Sequence, residues 1–72
     1  MRQITLSVPE VRCAACEQSI RSALAAETGV GEVSVDLSAR SVAVAYDDLI
    51  TTEAAVRIRI ERAGFEVVAV GG

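Results

Sequence analysis

The 72-residue chain has no histidine, no tryptophan and no lysine, and its only aromatics are Tyr46 and Phe65. Without histidine, no metal site can be built on imidazole. With two aromatics, the core has to be aliphatic, drawn from Val, Ile, Leu and Ala. The seven cations are arginines scattered among ten acids, for a net charge of −3. There is no basic run and no pair of stacking aromatics, which argues against a nucleic-acid partner. No segment approaches the roughly 20 apolar residues that span a bilayer, so a membrane-embedded chain is not expected. No signal peptide precedes the first strand pattern, and the expected location is cytoplasmic. Internal repeats, low-complexity segments and linkers are also missing. Only two cysteines occur, Cys13 and Cys16. In a reducing compartment such a pair points to metal binding or redox chemistry rather than to a structural disulfide.

The composition, 51% hydrophobic and 24% charged, suits a globular chain. The length suits a single domain over residues 1–72, with marginal stability and a simple core. Gln3 to Val8 alternates, with Ile4, Leu6 and Val8 on one face, which predicts a half-buried strand ended by Pro9. From Ala14 the period becomes helical. Cys16, Ile20, Ala23 and Leu24 share one side, Glu17 and Arg21 form an i,i+4 pair, and Gly29 and Gly31 mark the stop. Glu32–Leu37 and the row Val42, Val44, Tyr46 predict a hairpin without an Asn-Gly or Asp-Gly turn. Thr51 or Thr52 can cap a second helix, although the capping box is incomplete at either. That helix places Val56, Ile60 and Ala63 on one face, leaves Ile58 outside, and ends at Gly64. Phe65, Val67 and Ala69 alternate in a last strand. Val68 and Val70 make its outer face apolar too, which suits a sheet edge. The order β-α-β-β-α-β predicts an α+β, ferredoxin-like sandwich: a four-stranded antiparallel sheet with two helices on one face.

Cys13-Ala14-Ala15-Cys16 lies where strand pattern gives way to helix pattern. Cys16 falls in the first turn of that helix, where unpaired N–H groups and the helix dipole favour a sulfur anion, and Arg12 adds a cation beside Cys13. Two thiolates with no His or Met beside them suit a soft monovalent ion, chiefly Cu(I). Zinc wants a fuller shell, which Glu10, Glu17 or a second molecule would have to complete. A metal held by two exposed sulfurs can be taken by a third from a partner, so carriage of Cu(I) with transfer by ligand exchange is the expected function. A dithiol oxidoreductase is the competing reading, because Cys-x-x-Cys at a helix start is also a redox arrangement. The Ala-Ala spacer, the lack of an aromatic before Cys13 and the low strand count disfavour it.

Over nearly its whole length the chain resembles the heavy-metal-associated domain family. The resemblance rests on Cys13-Ala14-Ala15-Cys16, on Ile20 and Ala23-Leu24, on Gly29-Val30, on Val44-Ala45-Tyr46-Asp47, and on Ile60 with Ala63-Gly64-Phe65. It implies metal ligation by Cys13 and Cys16. It also implies a P-type metal-transporting ATPase, or its metal-binding domain, as partner, with a metal-bridged homodimer at high concentration. Glu10-Val11-Arg12 stands where the family usually has Gly-Met-Thr, and Val11 should pack inward as that Met does. Relatives that take zinc or cadmium often carry Asp where Arg12 stands, so the cation favours Cu(I), or Ag(I) as its mimic, over Zn(II). Ala-Ala between the cysteines also occurs in mercury-binding members, which keeps Hg(II) among the alternatives. Phe65 matches the position that faces the metal, commonly Tyr in bacterial chaperones and Phe in ATPase domains. That residue leans towards an N-terminal pump domain. The start at Met1 beside a strand and the end just past the last strand favour a free-standing carrier.

Overall fold

The computed structural model describes residues Met1–Gly71. Six elements follow the predicted order: β1 (Arg2–Ser7), α1 (Ala14–Ala25), β2 (Val30–Asp36), β3 (Ser41–Tyr46), α2 (Glu53–Arg62) and β4 (Ala69–Gly71). The sheet order is β2-β3-β1-β4, with every neighbouring pair antiparallel. This is the expected ferredoxin-like arrangement. Alternation along each strand divides its residues between two faces. Ile4, Leu6, Val42, Val44 and Tyr46 meet Ile20 and Leu24 of α1 and Val56 and Ile60 of α2 in one buried cluster. On the other face Gln3, Glu32, Ser34, Ala43 and Ala45 line a shallow groove of mixed polarity. No helix among the described residues is long and apolar enough to cross a membrane.

Local differences from expectation have definite causes. Gly31 is not part of the helix stop: it lies inside β2, which starts two residues early at Val30 and shifts register between Val30 and Val33. Gly29 alone takes the left-handed backbone there (φ +100), and a Cβ on it would sit 2.9 Å from Ile50 Cγ2. The hairpin dispenses with glycine because Arg40 adopts φ 54 while Asp36 Oδ1 accepts from the Ala39 N–H at 3.0 Å. The last strand differs most. Phe65 and Val67 do pack against the core, but the next inward residue is Val70, and Ala69 is exposed. Pairing sets this: Val70 lies opposite Leu6, and Ser7 is the last paired residue of β1 before Pro9, which has no N–H to donate. β4 is therefore a three-residue edge strand.

The two threonines before α2 divide their work. Thr52 is the N-cap and accepts from the Ala55 N–H at 3.1 Å. Thr51 is buried and donates to Glu27 Oε2 at 3.0 Å, while Arg59 Nε donates to Glu27 Oε1 at 2.8 Å. Glu27 thus ties the end of α1 to α2. The hydrogen bond from Arg59, then that from Thr51, hold its carboxyl below the usual glutamate range. A group with a depressed folded pKa contributes stability that is present above its unfolded value, about 4.3, and is lost as pH falls through the folded one. Glu27→Gln is accordingly expected to melt below the parent at neutral pH, with the gap closing as the carboxylates protonate. Thermal melts across that range check this, and a gap independent of pH would remove the ion pair from the account.

Candidate metal centre

After β1 the chain turns through Pro9 and Glu10, and the Val11 N–H donates to the Val8 carbonyl at 3.1 Å. Val8 and Val11 are both fully buried. The turn is thereby pinned to the core on its apolar side, while Arg12 and Cys13 face solvent. Cys13 is the N-cap of α1, with extended backbone (φ −149, ψ 170), and its carbonyl accepts from the Glu17 N–H at 3.0 Å. Cys16, in the first turn, is half-buried against the core. The two sulfurs lie 3.3 Å apart, and both cysteines are free thiols.

The helix-start effect that the sequence assigns to Cys16 acts on Cys13, because Cys13 is the N-cap and the first-turn amides face its sulfur. Its sulfur makes no well-formed cap hydrogen bond, yet the surrounding dipoles lower its pKa. The backbone N–H of Cys16 has the largest effect, followed by the Cys16 thiol and the backbone N–H of Ala15. These amides belong to the second and third residues of the helix, the ones a serine cap would address. Arg12, expected to help, is not among the groups that lower it.

Each carboxylate that could have supplied oxygen to a metal has one oxygen engaged elsewhere. Glu17 accepts from Arg21 Nε at 2.9 Å, and Arg21 Nη1 also donates to the Val33 carbonyl at 2.8 Å. Glu10 Oε1 accepts from the backbone N–H of Glu66 at 2.7 Å. Among the described residues no three His, Cys, Asp or Glu side chains converge on a metal-sized site. The donor set that remains is two sulfurs at the start of α1, one on the exposed cap and one half-buried in the first turn. Sequence reasoning located both cysteines but assigned Glu10 only as an oxygen donor. Its partner lies 56 residues away, and no local pattern signals that bond.

Such a pair can close on one soft ion. With metal–sulfur bonds of about 2.3 Å, an ion held between the sulfurs in a straight line would spread them to about 4.6 Å. The sulfurs have to separate by about 1.3 Å from their present 3.3 Å, and exposed Cys13 is the side free to move.

Residues 5–66 match the heavy-metal-associated domain. A probable copper-transporting ATPase, PacS, of Synechococcus elongatus is 38% identical over 65 residues, covering 90% of this chain and 9% of that protein. The periplasmic component of mercuric transport from Serratia marcescens is 34% identical over 62 residues, covering 86% of this chain and 68% of that one. The chain thus spans under a tenth of the ATPase and about two thirds of the mercuric protein. Among solved structures, the CopZ metallochaperone superposes with a TM-score of 0.89 at 33% identity, covering 93% of this chain and all of its own.

Proposed function

The chain belongs to the heavy-metal-associated domain family, and from that premise we propose that it carries Cu(I) on the thiolates of Cys13 and Cys16 and passes it on by ligand exchange. One observation carries the choice of ion. The two sulfurs sit 3.3 Å apart at the surface, while Glu10 and Glu17 are held off by the Glu66 amide and by Arg21. Among the described residues no third Cys, Asp or Glu converges with the two sulfurs, and a pair of soft donors suits Cu(I), or Ag(I) in its place, better than Zn(II). Hg(II) also accepts two thiolates, and the likeness to the mercuric protein keeps it as the second reading.

Transfer needs no change of oxidation state. An incoming thiolate adds to Cu(I), giving a three-sulfur intermediate, and one of the original sulfurs then leaves. Exposure of Cys13 gives the incoming sulfur access. The partner proposed is a P-type metal-transporting ATPase or its metal-binding domain, and two loops sharing one ion would give a homodimer at high concentration. The same module could instead be the N-terminal domain of such an ATPase, and a reading frame continuing into transmembrane helices would decide for that. On this reading it works in the cytoplasm, a compartment that keeps thiols reduced. Its role on this reading is binding and delivery, not catalysis.

A competition titration of the reduced protein with Cu(I), Zn(II) and Hg(II), followed by mass spectrometry of the complex, tests the proposal. One Cu(I) per chain, retained against excess Zn(II), is the expected result. Equal retention of zinc would overturn it, and displacement of Cu(I) by Hg(II) alone would favour the second reading.

A further inference from the structure

We propose that Glu10 is a positioning residue of the metal centre: by clasping the Glu66 amide it ties the cysteine loop to the segment after α2 and sets how readily the sulfur pair opens. The consequence for metal release rests on the Cu(I) reading above; the clasp itself does not.

The bond joins two segments that are otherwise held only from beneath. On one side, Glu10 precedes fully buried Val11 and lies three residues before exposed Cys13. On the other, Glu66 stands between Phe65 and Val67, both packed against the core. Residues 65–68 form no regular structure. Their backbone ties are a long bond from the Phe65 N–H to the Ile60 carbonyl at 3.4 Å and one from the Val68 N–H to the Ser7 carbonyl at 3.0 Å. Among the described residues, the 2.7 Å bond from the Glu66 N–H to Glu10 is the one hydrogen bond between residues 9–13 and 64–67. An amide donating to a carboxylate is among the stronger hydrogen bonds, though solvent exposure weakens it here.

The clasp bears on the sulfurs through the loop. Holding an ion requires the sulfurs to spread from 3.3 Å, and that motion displaces the chain just before Cys13. A loop tethered at Glu10 resists such displacement in both directions, so a bound ion leaves more slowly and the free thiols are reached less often.

Two variants and the parent test this: Glu10→Ala removes the acceptor, and Glu10→Gln keeps an acceptor oxygen but no charge. In the metal-free protein, alkylation of Cys13 by iodoacetamide, read by mass spectrometry, is expected to quicken about three- to tenfold in Glu10→Ala. Exchange of the Glu66 amide should quicken alongside it. Removal of Cu(I) by a cuprous chelator should accelerate by a similar factor. Glu10→Gln should stay near the parent in all three. If Gln behaves like Ala, the effect is the lost charge beside a thiolate and the clasp is refuted. Unchanged alkylation in Glu10→Ala also refutes it. Should the parent fail to bind Cu(I), the carrier proposal falls, and the alkylation and amide-exchange rates still decide for or against the clasp.

Discussion

Cys13→Ser is expected to lose stoichiometric Cu(I) binding and, at the same time, to melt a few degrees higher than the parent. The opposite signs come from two properties of one position. As a ligand, Cys13 supplies half of a two-sulfur site, and a hydroxyl oxygen is a hard donor with little affinity for a soft ion. As a backbone position it is the N-cap of α1, extended and solvent-exposed, with the amides of Ala15 and Cys16 facing its side chain. Serine is a preferred residue there because its oxygen can accept from those amides. A shift of a few degrees is what one modest cap contributes in a domain this small. Cys16→Ser should lose the metal equally but melt lower, because Cys16 is half-buried against the core and a hydroxyl there gives up solvation. Cuprous titration and thermal melting of the two reduced variants provide the check. Full retention of Cu(I) in either variant would end the two-thiolate account. A lowered melting point for Cys13→Ser would remove the cap argument while leaving the ligand argument standing.

The pair of variants also marks the boundary between what is local in this chain and what is not. Strand rows such as Val42, Val44 and Tyr46, and helix rows such as Ile20 and Leu24, follow from periodicity because one face of each element is buried. The cysteine pair is legible for a similar reason: both residues sit within one turn of a helix start. Features decided by distant partners are not. Thr51 and Thr52 look interchangeable as caps until Glu27 claims Thr51. The inward residue of β4 is Val70 rather than Ala69 because it pairs with Leu6, far earlier in the chain. Glu10 and Glu17 look like free carboxylates until Glu66 and Arg21 engage them, and the Arg21 case alone is visible at i,i+4 spacing. The ligands of the proposed site can be read locally, while the groups that restrict its chemistry depend on the fold.

Val11 is where the fold acts on the site, and Val11→Asp is expected to abolish the folded state at 25 °C. The side chain is 0% exposed and belongs to a cluster whose other members, Tyr46 apart, are aliphatic. Among the described residues no buried side-chain polar atom lacks a partner, so no unused polar group waits to receive a carboxylate. Burying an unpaired charge, or forcing it to take up a proton, costs several kcal/mol. A domain of this length has roughly 4–11 kcal/mol of stability in total. The substitution therefore removes most of what holds the chain together. Val11→Ala separates anchoring from unfolding. It deletes two methyl groups, costs about 1–3 kcal/mol, and should lower the melting temperature by roughly 5–15 °C. Both sulfurs remain, so this variant should still take up one Cu(I), and ligand binding to the folded state should restore part of the lost stability. Circular dichroism melts with and without Cu(I) read both effects. A Val11→Asp protein that melts cooperatively near the parent temperature would show that the turn before Cys13 is not fixed through the core, and the placement of the sulfurs would then need another cause.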